Sequence, residues 1–426
     1  MRARAVGEPR ARLEQACVHE GLRQVAAQLA LADVELLGEQ SRRRARRSAA
    51  LEPPQGLGAL SLLSWLAVLF RPGRPWDLQP VAEDQPEAPA PSAWPSVCVL
   101  VPARNESSSL PRTLPALVAQ DYPGEWRVVV IDDRSTDDTS RVARSIGTGR
   151  TTVRAGEELP EGWVGKVWAL QQGAEKAAEK YLLLTDADIL HAPHSLRRLV
   201  AESEAAGLAL NSRMARLRCE SSIERLLIPP FVWFFNLLYP MRRVNDAASS
   251  VAAAAGGCIL LRRDALEKAG GFASIRGELI DDVNLARRIK TSGGTLRLSL
   301  SREDVRSLRD YATVGPIWRM VRRTAFTELQ RSWLRVFGAL ASLLVLFAVP
   351  PLLLAAGGAL AIEDRRFLLA TLLGFLAWAL MAGAYRGAPR SFGLSGLRAW
   401  TLPPAGLLYA LMTLDSALRG GRKDWR

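Results

Sequence analysis

From residue 96 the chain alternates short, β-rich apolar runs with stretches of helical periodicity. The runs at 97–101, 128–132, 181–185, 208–210 and 258–261 read as strands, with helices predicted at 114–120, 135–146 and 166–180 between them. Alternation of this kind predicts an α/β domain, a mostly parallel sheet with helices on both faces, over residues 96–330. No internal repeat stands out.

Farther along, the periodicity gives way to long apolar stretches. Residues 336–362 and 367–385 are almost uncharged and long enough to cross a bilayer. Residues 402–418 form a shorter third candidate interrupted by Asp415, and 57–70 is shorter still, leaving a span, an interfacial anchor or a buried helix open. Residues 226–239 are apolar nearly all round, with Phe231, Trp233, Phe234 and Phe235, and read as an interfacial element or a core helix. Ile317, Met320, Val321 and Leu329 share one helical face flanked by Arg319, Arg322 and Arg323, the pattern of a membrane-surface helix. The expected layout is an N-terminal extension (1–54), helical or disordered, then an apolar anchor (55–71) and a Pro-, Glu- and Asp-rich linker (72–95). The catalytic domain (96–330), two or three transmembrane helices (336–418) and a basic tail (419–426) follow.

Composition sharpens this picture in two ways. The net charge of +13 is carried by residues flanking the apolar segments, such as Arg319, Arg322, Arg323 and Arg331 before one and Arg419, Arg422 and Lys423 after another. That placement fits anionic lipid head groups and argues against nucleic acid as a partner. The four cysteines, Cys17, Cys98, Cys219 and Cys258, show no C-x-x-C spacing and read as reduced thiols on the cytoplasmic side. No cleavable signal peptide is evident at the Arg-rich N-terminus. One conflict arises: a cytoplasmic catalytic domain after one N-terminal span places the basic run 42–47 outside, and three later spans do the same to Arg422 and Lys423.

The chemistry concentrates where predicted strands end. Tyr181 to Thr185 is followed by Asp186, Ala187 and Asp188, two carboxylates at the edge of a sheet where ligands bind in open α/β folds. Such a pair can hold a hard divalent cation, which in turn holds phosphates. Pro102, Arg104 and Glu106 close the first strand, and Asp132 and Asp133 the second, offering hydrogen-bonding partners to a base and ribose. Ser135 or Asp137 reads as a helix cap. Lys166 opens a helix, where the dipole disfavours a cation unless a diphosphate shares the site; a solvated surface lysine is the plainer reading. Asp282, after Asp281 at a helix start, is placed to act as a general base or merely to cap the helix. Gly256 and Gly257 supply backbone without side chains beside it. His191 and His194 read as surface or packing residues.

These clusters, in this order and spacing, resemble the family 2 glycosyltransferases over roughly residues 96–300. The resemblance implies a GT-A nucleotide-sugar-binding fold and an inverting, metal-dependent sugar transfer. It further implies that Pro102, Arg104, Glu106, Asp132, Asp133, Lys166 and Asp186 bind the donor. Asp188 with Asp186 would hold Mn²⁺ or Mg²⁺, and Asp282 would be the catalytic base. The stretches 233–240, 252–258, 275–282, 322–327 and 424–426 are similar to the hopene-associated glycosyltransferases of hopanoid biosynthesis. That implies a nucleotide-sugar donor, UDP-sugar first, and a lipid acceptor such as a hopanoid. A polyprenyl phosphate, another glycolipid or a processive polysaccharide synthesis is the alternative. The expected location is a bacterial inner membrane, multi-pass, with the catalytic domain cytoplasmic. The family pattern commonly has Glu-Asp where this chain has Asp281-Asp282, and Gly where it has Arg134; the second change predicts a different nucleotide loop.

Overall fold

The computed structural model describes residues 52–147 and 149–420. The extension with the basic run 42–47 and Cys17, and the closing residues with Arg422, Lys423 and 424–426, lie outside the described residues.

Nine strands are present among the described residues: β1 (Val97–Ala103), β2 (Trp126–Asp132), β3 (Thr151–Ala155), β4 (Tyr181–Thr185), β5 (Ile189–His191), β6 (Leu210–Met214), β7 (Cys258–Arg262), β8 (Leu296–Leu300) and β9 (Val305–Ser307). Seven build one sheet in the order β3-β2-β1-β4-β7-β6-β8, and β5 pairs antiparallel with β9 apart from it. Every residue of β1 and β4 is buried, which a sheet covered on both faces requires. Parallel pairing aligns the carboxyl ends of β1, β2 and β4 on one edge, through Ala103↔Asp132 and Leu100↔Leu184. The one reversed strand of this sheet, β7, pairs Cys258 with Thr185 and so delivers Gly256 and Gly257 to that same edge.

The helices used below are α1 (Gln55–Phe70), α2 (Leu110–Val118), α3 (Thr139–Ile146), α4 (Gly165–Glu175), α5 (Ser195–Ala206), α6 (Ser222–Leu238), α7 (Asp281–Thr291), α8 (Val314–Glu328), α9 (Trp333–Glu363), α10 (Leu368–Tyr385) and α11 (Leu402–Leu418). Among the described residues two helices, α9 and the stretch Arg365–Ser391 that contains α10, are long and apolar enough to cross a membrane. Only 17% of the apolar window of α9 and 39% of the second are buried within the chain. A soluble core helix would be mostly covered, and these are not. Among large exposed apolar side chains, all but Leu159 and Leu238 lie on α1 or between residues 333 and 418. The two long helices pack closely because Gly374 has no side chain: a Cβ there would stand 2.6 Å from the Leu353 Cβ.

Three sequence expectations change at this level. The 72–95 stretch is no free linker, since Leu78, Val81 and Ala82 are buried and the Glu83 carboxylate accepts from the backbone N–H groups of Arg302 (2.7 Å), Glu303 (2.9 Å) and Asp304 (3.1 Å). Its acidic residues serve as acceptors for a distant loop, which composition alone cannot show. Helix α6 is a bridge rather than a free interfacial element: Trp233 stacks on Trp65 of α1 at 6.2 Å, and Phe234 meets Phe347 of α9 at 5.7 Å. The apolar face of α8 is likewise covered, Ile317 and Val321 clustering with Leu227, Ile228, Tyr409 and Met412.

Helix α11 lies along the first half of α9. Gly406 sits on the Phe347 ring, and Ala417 clusters with Val336 and Phe326. Asp415, which interrupts its apolar run, accepts from Trp318 Nε1 of α8 at 2.7 Å and from Arg419 Nε at 2.7 Å. A carboxylate so engaged is compatible with an apolar helix because its charge is paired.

Candidate active site

The loops after β1 and β2 are braced against each other. Asn105 takes φ +58° and accepts from Thr136 N at 2.8 Å, while Glu106 N donates to Thr139 Oγ1 at 2.8 Å and Ser107 N to Asp137 Oδ2 at 3.2 Å. Asp132 is spent inside this turn, accepting from Ser135 N at 3.0 Å and from Ser140 Oγ. Asp133 is different. Arg104 lies 3.5 Å from one of its oxygens, and the other, Oδ1, is buried without a hydrogen-bond partner. Burial lifts the Asp133 pKa above the usual carboxylate range, against the pull of Arg104 and Arg134. Arg134 adopts φ +53°, the left-handed conformation a glycine would take freely, so the turn is held at an energetic cost.

Lys166, on the first turn of α4, does not face solvent. Its Nζ lies 2.8 Å from Asp186 Oδ1 and 3.5 Å from Asp281 Oδ2. Burial alone would lower the ammonium pKa, but Asp186, Asp281 and Asp282 together hold it above its ordinary value. The conflict between a cation and the helix N-terminus is thus resolved by carboxylates. Asp282, on the first turn of α7, accepts from Gly256 N at 2.8 Å and Val283 N at 2.8 Å. A Cβ on Gly256 would come within 3.1 Å of Lys166 Nζ and 3.2 Å of Asp282 Oδ2, so any side chain there would crowd both groups. Burial first, and the charge of Asp281 second, push the Asp282 pKa up to about 7. A carboxylate balanced there can exchange a proton near neutral pH.

Asp188 is buried, and its Oδ2 meets Arg309 Nε at 3.0 Å and Ser307 Oγ at 3.4 Å. Burial raises its pKa, and Asp186 adds to that, while Arg309 opposes. Glu106 belongs to the same field: burial, with Asp188 and Asp186 nearby, lifts its pKa as well. Arg309 went unnoticed in the sequence. It is delivered by the pairing of β5 with β9, two three-residue strands too short to read from pattern. Beside these groups lies a narrow cleft, open to solvent and lined by Pro102, Lys166, Thr185, Asp186, Gly256 and Asp281 among others.

A divalent cation can be tested against these donors. Among the described residues no three His, Cys, Asp or Glu side chains converge on one point. Asp186 and Asp188 nonetheless fit Mg²⁺ or Mn²⁺, since such ions take one or two protein carboxylates and complete their shell with phosphate oxygens and water. The histidines do not contribute. His191 is buried between Thr185 Oγ1 (2.9 Å) and Ser195 Oγ (3.2 Å), with burial lowering its pKa to about 4, and His194 pairs with Asp304 at 3.0 Å.

Residues 98–270 match the family model described as Glycosyl transferase family 2. A 4,4'-diaponeurosporenoate glycosyltransferase of Staphylococcus aureus (strain bovine RF122 / ET3-1) is 36% identical over 94 residues, 22% of this chain and 24% of that protein. The chain therefore spans about a quarter of the length of the curated relatives it matches. Among solved structures, the mannosyltransferase PcManGT from Pyrobaculum calidifontis, in complex with GDP-Man and Mn²⁺, is 19% identical with a TM-score of 0.47, covering 90% of this chain and 100% of that one. Glucosyl-3-phosphoglycerate synthase from Mycobacterium tuberculosis, in complex with Mn²⁺ and UDP-glucose, is 18% identical with a TM-score of 0.36, covering 55% and 78%. The sheet order and the family match agree: residues 98–270 lie in a family 2 glycosyltransferase domain with the α/β GT-A fold.

Proposed function

We propose that this chain transfers a sugar, with inversion, from a nucleoside-diphosphate donor to a lipid acceptor at the cytoplasmic face of a bacterial membrane. The observation that carries this reading is the convergence of three distant segments on one ammonium group. Lys166 Nζ touches Asp186 after β4 and Asp281 at the start of α7, with Gly256 ahead of β7 packed against it and Asp282.

Pro102, Arg104, Glu106 and Asp133 take the base and ribose, with Asp132 bracing their loop, and Asp133 Oδ1, which has Arg134 Nε at 3.9 Å but no hydrogen bond, suits a ring N–H or sugar hydroxyl. Asp186 and Asp188 would hold Mn²⁺ or Mg²⁺. When bound, the cation supplies positive charge against the departing diphosphate. Lys166 supplies positive charge from the protein itself, and its three carboxylate neighbours keep it ionised. Asp282, ionised, accepts the proton of the acceptor hydroxyl. That oxygen attacks the anomeric carbon from the face opposite the diphosphate, the old C–O bond breaks, and the nucleoside diphosphate leaves with the electron pair.

The exposed apolar surfaces of α9 and α10 support a membrane hairpin, with α11 held on the catalytic side by its contacts with α8. In that arrangement Arg419 stays with the catalytic domain, which relieves the charge conflict in the sequence. The acceptor is then a membrane lipid, a hopanoid first and a polyprenyl phosphate or glycolipid otherwise. The Staphylococcus aureus relatives are named for one molecule, 4,4'-diaponeurosporenoate, and not for a polymer, which favours simple transfer over processive synthesis.

The test is nucleoside-diphosphate release by the purified full chain from a panel of UDP- and GDP-sugars, with and without EDTA. Cation-dependent release that is lost in Asp188→Ala supports the reading. Release from no donor, or release indifferent to Asp188, overturns it.

A further inference from the structure

Helix α8 presents different faces to different neighbours. Trp318 and Arg322 turn to Asp415 of α11, and Ile317 and Val321 pack on Leu227 and Tyr409. A third stripe, Met320, Arg323 and Thr327, follows the i, i+3, i+7 spacing of one helix face. Tyr311 OH reaches Met320 Sδ at 3.4 Å, and the Arg323 charge acts on the same phenol. Tyr311 is two residues from Arg309, the partner of Asp188, so Met320 connects this stripe through Tyr311 to the Asp188 end of the site. One turn on, Glu328 accepts from Tyr239 OH, whose phenol also feels the charge of Asp282.

On this stripe Arg323 Nε and Thr327 Oγ1 are both buried with no hydrogen-bond partner among the described residues. Buried polar atoms are almost always paired, so an unpaired guanidinium N–H beside an unpaired hydroxyl calls for an outside acceptor. A guanidinium with a neighbouring hydroxyl is matched by a phosphate or carboxylate oxygen. Helix α8 leads almost directly into α9, whose first turns expose Trp333, Leu334 and Phe337. A ligand with its anionic head on the stripe would find an apolar track for its tail there.

We infer that Arg323 and Thr327 form an oxyanion subsite for the head group of an amphiphilic acceptor, its apolar tail lying along Trp333, Leu334 and Phe337. The inference rests on the lipid-transfer reading and, among the acceptors proposed above, favours those that carry a phosphate or a carboxylate over a neutral hopanoid. A neutral lipid alcohol could accept from Arg323 but would give it no charge-assisted bond.

The experiment measures binding by calorimetry to the full chain in nanodiscs of neutral lipid, without any donor. The probes are dodecyl phosphate, laurate and dodecanol. Both or one of the anionic probes should bind more tightly than dodecanol, and which of them binds tells a phosphate source from a carboxylate source. Arg323→Gln should weaken anionic binding about tenfold, the loss of one charge-assisted bond, with no change for dodecanol. Thr327→Val, which keeps side-chain volume, should weaken it about threefold and serves alone if Arg323→Gln does not fold. Arg319→Gln, an exposed arginine off the stripe, should bind as the unaltered chain does. Equal binding of all three probes, or anionic binding unaffected by Thr327→Val and Arg323→Gln, overturns the subsite. Donor cleavage by the unaltered chain is read separately: its absence removes the transferase reading while the binding results stand.

Discussion

Asp281→Asn isolates the electrostatic control of the catalytic base. Asp281 and Asp282 are adjacent on the first turn of α7, and the Asp281 charge is the second cause, after burial, of the raised Asp282 pKa of about 7. Two like charges a few ångströms apart at an effective dielectric of about 20 repel by about 3 kcal/mol, or about two pKa units. Lys166, 3.5 Å from Asp281, already neutralises part of that charge, so a net shift of about one unit is expected. The sign is fixed: removing a neighbouring negative charge favours the ionised form, so the Asp282 pKa falls and the base is active at lower pH. Freed from Asp281, Lys166 acts in the same direction. The assay is the pH profile of kcat/KM for sugar transfer, which reports ionisations of the free enzyme. The acidic limb, near pH 7 in the unaltered chain, should move down by about one unit in Asp281→Asn. A limb that stays in place or moves up refutes the assignment of Asp282 as the group that must lose its proton.

Two further substitutions probe the frame around the site. Arg134→Gly relieves the left-handed conformation at φ +53° and should stabilise the fold by about 0.5–1 kcal/mol after the entropy cost of glycine, read by denaturant unfolding in detergent. Glu83→Gln removes the charge that gathers the Arg302, Glu303 and Asp304 backbone N–H groups and should cost about 2 kcal/mol at neutral pH. Burial would raise the Glu83 pKa, but those bonds hold it down to about 2. Its contribution is therefore complete above the ordinary carboxylate pKa and fades as pH falls toward about 2, so the gap between Glu83→Gln and the parent should narrow in acid.

The central strands β1, β2 and β4 were legible because they are continuous apolar runs, and the polar residues at their ends were legible for the same reason. Strand β6 was placed too early, at 208–210, because its residues Asn211, Ser212 and Arg213 look like loop; they are buried and satisfied by partners such as Glu202, Ser299 and the Cys258 carbonyl. Strand β3 is half-exposed at the sheet edge and carries Thr and Arg, so it leaves little apolar signal. Arg309 and Glu83 act through pairings more than a hundred residues apart in the chain, which no local spacing encodes. Lys166 was singled out by a local conflict, a cation on the first turn of a helix, and the fold sets that lysine among carboxylates. What the sequence could not give was its resolution, because Asp281 is brought to Lys166 only by the fold.

The most direct measurement of the central claim is the anomeric configuration of the lipid product formed from an α-linked nucleotide sugar, read from the anomeric proton coupling by NMR. A single displacement with Asp282 as base predicts a β-linked glycolipid. An α-linked product, or a free sugar with no lipid product under any donor and lipid combination, would contradict it.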